Sequence, residues 1–122
     1  MELDKLTELV IGCAYNVSNN LGSGFLEKVY ENAMKFDLEN LNVKVKQQEA
    51  IKVYYKNQIV GEYFADLLVE DCLIVELKTV KTFDNIHIAQ ILNYLKATRN
   101  KIGLLINFYN PKVEIKRIVN DL

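Results

Sequence analysis

Apolar side chains in the N-terminal third of the chain recur at the spacing of α-helices. From Leu3 to Asn20 they fall every three or four positions, which predicts an amphipathic helix. Two glycines interrupt the pattern within Leu21–Gly24, and a second amphipathic helix is predicted from about Phe25 to Asn40, with Ser23 as a candidate N-cap. The chain therefore begins with two helices that each have one apolar face.

After these helices, apolar residues fall at every second position, as in β-strands. Residues Val43 to Gln48 alternate between apolar and polar, and Ile51 to Tyr55 are mostly β-branched or aromatic. Lys56-Asn57 is a candidate hairpin turn into a strand from Ile59 to Val69, and Leu73 to Lys78 forms the next strand. The pattern predicts three antiparallel strands.

Helical spacing returns once near the C-terminal end. Asp84 is a candidate N-cap for a third helix that runs to about Thr98. The continuous apolar run Gly103 to Phe108 predicts a strand buried on both faces, and after a turn at Asn110-Pro111 the alternating segment Val113 to Ile118 predicts an edge strand. We therefore expect residues 1–122 to form one α/β domain, a mixed β-sheet flanked by helices in the order α-α-β-β-β-α-β-β.

Composition and charge limit the classes of function. Half of the residues are hydrophobic and a quarter are charged, as in folded soluble proteins. The formal net charge of −1 lacks the basic excess that free-standing nucleic-acid binders usually carry. No apolar run is long enough to cross a bilayer, and the N-terminus lacks the basic-then-apolar order of a signal peptide. Cys13 and Cys72 lack metal-site spacing, so we interpret them as reduced thiols and expect a cytoplasmic protein without a membrane partner.

The run ADLLVEDCLIVELK places ionisable side chains on two neighbouring strands. Because side chains alternate along a strand, Glu76 and Lys78 share one face. Magnesium prefers oxygen ligands and keeps several waters, so Asp66, Glu76 and the main-chain carbonyl of Leu77 would be enough protein ligands. Lys78 would orient the attacking water or stabilise charge on a phosphate. The pattern predicts a metal site suited to phosphodiester hydrolysis.

The connection between the two strands decides whether this site can form. Directly opposed residues of an antiparallel pair share a face. A three-residue turn centred on Asp71 would place Asp66 opposite Glu76, so that the two carboxylates converge. A two-residue turn at Glu70-Asp71 would turn Asp66 away unless a bulge corrected the register.

Further polar residues on the predicted helices fit the same site, and each also has a purely structural interpretation. Glu27 would contribute another carboxylate, or simply favour an early helical turn through the helix dipole. Gln90 and Tyr94, four residues apart on the third helix, would contact Lys78 or the substrate, or lie at the edge of the core. For His87 we favour a surface or core role.

Three segments of the chain resemble the GxxExxY family of the PD-(D/E)xK nuclease-like superfamily. They are GFLEKVYENAM from Gly24, GEYFADLLVEDCLIVELKTV from Gly61 and AQILNYLKATRNKIGLLINF from Ala89. The resemblance implies a restriction-endonuclease-like core. It implies metal-binding roles for Asp66 and Glu76, a catalytic role for Lys78, an acid from the preceding helix at Glu27, and the helical motif of exonuclease-like branches at Gln90 and Tyr94. Ala65 stands where the superfamily motif has proline.

These observations leave more than one function open. The first hypothesis is a magnesium- or manganese-dependent nuclease that hydrolyses phosphodiester bonds in DNA. The second is a binding or assembly module that keeps the nuclease fold without turnover, as a homodimer or as a subunit of a larger complex. The third is another metal-dependent hydrolase, acting on small phosphorylated or nucleotide substrates. P-loop hydrolysis of nucleoside triphosphates is disfavoured, because the sequence lacks a glycine-rich phosphate loop.

Overall fold

Three helices and five strands follow one another in the predicted order. The computed structural model describes residues 1–121 of the chain. Every predicted helix and strand is present, and most boundaries differ from the predicted ones by one or two residues. The elements are α1 (Leu3–Leu21), α2 (Glu27–Asn40), β1 (Val45–Tyr55), β2 (Gln58–Val69), β3 (Leu73–Lys78), α3 (Asn85–Thr98), β4 (Ile102–Asn107) and β5 (Glu114–Val119).

The five strands form one mixed sheet in the order β1-β2-β3-β4-β5. Only β3 and β4 pair in parallel, and α3 makes the crossover between them, whereas the other neighbours pair antiparallel. All six residues of β4 are buried, as its continuous apolar sequence predicts, and β5 forms an edge. The predicted fold class, α/β with a mixed sheet and flanking helices, is confirmed.

The sheet separates two apolar layers. On one face, α1 and α2 pack against Leu73, Val75 and Leu77 of β3, all of which are buried. On the opposite face, Ile91 of α3 packs against Ile74 of β3. Side-chain alternation along β3 therefore assigns the even-numbered positions to the α3 layer.

Gly103 of β4 sets the close approach of α3 to the sheet. A Cβ atom added at Gly103 would lie 2.7 Å from Cδ1 of Ile91 and 3.0 Å from its Cγ1. A side chain at this position would therefore force Ile91 or the helix itself to shift. This contact helps to fix α3 over the even-numbered positions of β3.

The β1–β2 hairpin changes sides along its length. Near β3, Val45 and Leu67 belong to the layer formed with α1 and α2, whereas farther along Ile51 and Ala65 belong to the layer formed with α3. Between them, Gln48 adopts a positive φ of 50° within the strand. The two strand segments predicted before and after residue 49 are therefore one continuous strand with a kink.

One predicted turn and one predicted cap are present. Lys56 and Asn57 form the two-residue hairpin turn with φ of 49° and 66°, the positive values that such turns require. Asp84 caps α3, because its side chain accepts a hydrogen bond of 3.1 Å from the Ile86 N–H. His87 completes a capping box by accepting from the Asp84 N–H at 3.0 Å, which gives this histidine a structural role.

The N-cap predicted for α2 is wrong. The helix begins at Glu27, and its N-cap residue is Leu26 rather than Ser23, without a side-chain hydrogen bond. The segment before it is instead held by Tyr30, whose hydroxyl donates to the Gly22 carbonyl at 2.8 Å. A buried side chain thus replaces local capping at this helix start.

Tyr30 also joins α2 to the end of β4. Its ring stacks on Phe108 with a centroid distance of 4.4 Å, and its hydroxyl accepts a hydrogen bond of 3.2 Å from the Phe25 N–H. Gly24, with φ of 109°, takes a backbone conformation that other residues rarely adopt. None of the helices within residues 1–121 is long and apolar enough to cross a membrane.

Candidate metal and nuclease site

Asp66 and Glu76 lie side by side where β2 separates from β3. Three residues connect the strands, and their pairing ends at Leu67 opposite Val75. The same register sets Asp66 opposite Glu76, which confirms the register of the three-residue turn. Beyond the last pair, Asp66 Oδ2 accepts a hydrogen bond of 2.8 Å from the backbone N–H of Leu77. The carboxylate thus replaces the strand acceptor that the departing backbone no longer supplies.

The Glu76 carboxyl group is buried beside Asp66. Its residue is 4% exposed, and its Oε1 is the one buried side-chain nitrogen or oxygen without a hydrogen-bond partner within residues 1–121. Burial, and then the adjacent Asp66 carboxylate, raise the pKa of Glu76 from 4.5 to about 9, although the Lys78 ammonium opposes this shift. Without a cation, Glu76 therefore keeps its proton at neutral pH.

The donor atoms at this point fit a small divalent cation. The Lys78 carbonyl accepts a hydrogen bond of 2.9 Å from the Phe108 N–H, so the preceding Leu77 carbonyl points to the opposite edge of β3, toward β2. No group of three or more His, Cys, Asp or Glu side chains within residues 1–121 gathers as a metal site. A cation here would be held by two carboxylates, one carbonyl and water, a combination that magnesium accepts.

Lys78 follows Glu76 on the same side of β3. The side chain is half-buried, and its charge acts on Glu76 in the direction that favours the carboxylate. None of the salt bridges formed within residues 1–121 involves Lys78. Its ammonium group is therefore available to a bound anion.

The third helix brings Tyr94 close to the two carboxyl groups, with Gln90 beside it. Tyr94 is 5% exposed, and burial, followed by the charges of Glu76 and Asp66, raises the pKa of Tyr94 to about 12, against the opposing effect of the Gln90 side chain. The ring of Tyr94 also lies 5.7 Å from that of Tyr63 on β2, measured between centroids. The Tyr94 hydroxyl therefore stays protonated at any physiological pH and can donate a hydrogen bond.

A polar network around the buried Glu31 supports Asp66 from the side of α2. Gln48 donates at 3.1 Å to Asp66 Oδ1 and at 2.9 Å to Oε1 of Glu31. Glu31 is 3% exposed, and its Oε2 accepts hydrogen bonds from Gln47 at 2.7 Å and Lys28 at 2.8 Å. The network holds one Asp66 oxygen while the Leu77 N–H holds the other, so the carboxylate has a fixed orientation.

Sequence reasoning selected Glu27 from this helix and missed Glu31 and Gln48. Glu27, the first residue of α2, is exposed, and its side chain makes no hydrogen bond or salt bridge to Asp66 or Glu76 within residues 1–121. A signal for Glu31 exists in the pattern, because it lies between the buried positions Tyr30 and Met34, where an acid is unusual. Gln48 gives a weaker signal, a polar residue at the point where strand alternation is interrupted.

Comparison with known proteins gives the fold a context. A family model described as the PD-(D/E)XK nuclease superfamily matches residues 4–118. The sequence matches no curated protein. A crystal structure of SSO0001 superposes with a TM-score of 0.58 at 16% identity, over 79% of this chain and 51% of that chain. An alkaline exonuclease from Laribacter hongkongensis superposes with a TM-score of 0.49 at 18% identity, over 77% of this chain and 56% of that chain.

The family match and the structural likeness carry different conclusions. The match to the family model covers nearly the whole chain. The likeness to SSO0001 is too distant in sequence to concern more than the fold. This chain spans about half the length of the solved structures that it resembles.

Proposed function

Because this chain belongs to the PD-(D/E)XK nuclease superfamily, we propose that it is a metal-dependent nuclease that hydrolyses phosphodiester bonds in DNA. The observation that carries the proposal is the buried Glu76 oxygen without a hydrogen-bond partner beside the Asp66 carboxylate. Burying the Glu76 carboxyl group beside the half-buried Asp66 carboxylate costs free energy that a fold alone has no reason to accept. A bound cation would remove that cost.

Magnesium or manganese is the cation that we propose. Asp66, Glu76 and the Leu77 carbonyl would hold it, with water completing the shell. The bound cation would neutralise charge on the phosphate and lower the pKa of a water molecule. Such a cation would also favour the ionised form of Glu76, against the effect of burial.

The surrounding side chains receive roles from their positions. Lys78 would bind a phosphate oxygen or orient the attacking water, since its ammonium group has no carboxylate partner within residues 1–121. Tyr94 and Gln90 would donate hydrogen bonds to the substrate from α3. Glu31 and Gln48 would act as positioning residues for Asp66.

We also infer that the chain belongs to the GxxExxY family, one domain over residues 1–122 that acts in the cytoplasm. The residues that support the family assignment are Gly24, Glu27 and Tyr30. Two of them have structural roles, since Gly24 takes a positive φ and Tyr30 anchors the loop before α2. Glu27 remains exposed beside them, and we propose that it meets the substrate or the metal shell only in the bound complex.

A cleavage assay tests the proposed function. Single-stranded, duplex and branched DNA would be incubated with the protein in magnesium, in manganese and in chelator. We expect cation-dependent cleavage that is lost in Glu76→Ala and Lys78→Ala and kept in Glu8→Ala and Lys5→Ala, which remove exposed charges from α1. Cleavage that persists in Glu76→Ala would come from a contaminant and would contradict the proposal.

Metal binding by calorimetry separates the nuclease from a silent module. Asp66→Asn removes the charge and keeps an oxygen for the Leu77 N–H, although it loses the acceptor for Gln48. We expect magnesium binding by the natural protein and a large loss in Asp66→Asn. A protein that binds no cation and cleaves no DNA would instead be the binding or assembly module, and sedimentation would then show whether it is a homodimer.

A further inference from the structure

A groove runs between the far half of the β1–β2 hairpin and α3. It encloses about 580 Å³, and its walls include Lys52 and Tyr54 of β1, Tyr63 of β2, and Lys96 and Arg99 at the end of α3. It exists because the hairpin crosses to the α3 side of the sheet after it separates from β3. The groove is therefore a product of the same strand separation that forms the carboxylate pair.

The charge of the groove differs from that of the whole chain. Lys96 and Arg99 contribute two positive charges, and Lys52 contributes a third that lies opposite Glu62 on β2. None of these three takes part in the salt bridges formed within residues 1–121. A chain with a formal net charge of −1 thus presents a local surface for an anion.

Exposed aromatic rings accompany these charges. Tyr54 is 62% exposed and Tyr63 is 49% exposed, although aromatic side chains are usually buried in a core. Nucleobases stack on such rings, whereas a simple anion makes no use of them. Cations together with open aromatic faces are the combination that binds a nucleic-acid strand whose bases are unpaired.

The groove adjoins a smaller cavity at Tyr94, the residue of α3 that lies near the carboxylate pair. Tyr63 and Asn93 line both the groove and a smaller cavity that contains Gln90 and Tyr94. Tyr94 in turn senses the charges of Glu76 and Asp66, which raise its pKa. A polymer that lies in the groove and continues past Tyr94 would therefore approach the metal-binding residues.

We propose that this groove binds single-stranded DNA on one side of the scissile phosphate, an inference that rests on the proposed nuclease function. Stacking on Tyr54 and Tyr63 requires unpaired bases, since base pairing and stacking hide these faces in a duplex. Lys52, Lys96 and Arg99 bind the phosphates of that strand.

Fluorescence anisotropy with a dye-labelled oligothymidine of about 12 nucleotides tests the groove, because binding-site sizes of this order are common for single strands. The titrations are made in chelator, so that no strand is cut. We expect Tyr54→Ala to weaken binding roughly 5- to 100-fold. Lys96→Ala with Arg99→Ala should weaken binding and lower the slope of log K against log salt by about 1.4.

Matched controls remove the same groups from the α1 side of the molecule and from the loop after β4. Tyr15→Ala removes a tyrosine that is 41% exposed on α1, and Lys5→Ala with Lys112→Ala removes two exposed lysines. These variants should bind the oligonucleotide like the natural protein. A duplex of the same length should bind more weakly and should not respond to Tyr54→Ala.

Several results would overturn the proposal. Groove variants that bind the single strand like the natural protein, or controls that lose binding equally, would contradict it. Groove variants that change the sedimentation coefficient but not the binding would identify a protein interface instead. Because binding is measured without turnover, the two proposals can fail separately. If groove substitutions weaken single-strand binding but the protein never cleaves DNA, only the nuclease proposal is refuted. If the protein cleaves DNA normally but groove substitutions leave binding unchanged, only the groove proposal is refuted.

Discussion

Replacing Glu76 by glutamine should remove a pH dependence from the stability of the metal-free protein. Glu76 is almost completely buried, and its pKa is raised from 4.5 to about 9. Between these two values the folded protein keeps a proton that the unfolded chain has lost, so the free energy of unfolding falls as the pH rises. The contribution of protonated Glu76 to the free energy of unfolding is fully present below about pH 4.5 and is lost progressively up to about pH 9.

The slope follows from the one retained proton. Each pH unit within that window should lower the free energy of unfolding of the natural protein by about 1.4 kcal/mol relative to Glu76→Gln. Between about pH 5.5 and pH 7.5 the difference between the two proteins should therefore change by about 3 kcal/mol. Glutamine has nearly the same volume and no charge, so packing is preserved while titration is removed.

Urea denaturation in chelator measures this difference. Tyrosine fluorescence can report the transition, since the chain has seven tyrosines and no tryptophan. Glu8→Gln, an exposed substitution on α1, is the control and should follow the natural protein at every pH. A constant difference between the natural protein and Glu76→Gln across this range would show that Glu76 is not protonated in the folded state.

Adding magnesium provides the second half of the same test. At about pH 7.5, magnesium should raise the urea midpoint of the natural protein, because a ligand that binds only the folded state stabilises it. It should leave Glu76→Gln unchanged. An equal response of both proteins would place the cation elsewhere and would contradict the ligand role of Glu76.

Three further substitutions test how the site is supported. Gln48→Ala removes the bridge between Glu31 and Asp66 and should weaken magnesium binding about 10- to 100-fold in calorimetry. The far-ultraviolet circular dichroism should stay unchanged. An unchanged affinity would rule out a positioning role for Gln48. Gly103→Ala should destabilise the protein by about 1–3 kcal/mol in urea, because the new Cβ meets Ile91, and adding Ile91→Val should recover part of this loss; no recovery would mean that the clash lies elsewhere. Tyr30→Phe should cost about 1–2 kcal/mol, because the Gly22 carbonyl and the Phe25 N–H lose their partner, whereas the exposed Tyr15→Phe should be neutral; equal effects would remove the proposed anchor.

The order of the elements was predictable because local patterns determine it. Helical and strand spacing, the Lys56-Asn57 turn and the Asp84 cap are properties of neighbouring residues, and each appears in the structure as predicted. The predicted N-cap of α2 was wrong because a distant contact, not the local sequence, holds that helix start. Its loop is held by Tyr30, which reaches back to Gly22 and stacks on Phe108 from a distant strand.

The residues of the candidate site also differ in how far local sequence patterns predict them. The sequence by itself supplied Asp66, Glu76, Lys78, Gln90 and Tyr94, because alternation along β3 and the spacing of α3 decide which side chains can share a face. It supplied two possible registers for Asp66, and the tertiary structure selected the one with three connecting residues.

Only the tertiary structure decided the burial and the supporting contacts of this site. Glu31 and Gln48 come from different elements and reach Asp66 because the hairpin leaves the sheet at that point. The unpaired oxygen of Glu76, its raised pKa and the basic groove beside Tyr63 have the same origin. Local sequence determines which residues can face one another, whereas burial and charge depend on segments that meet only after the chain has folded.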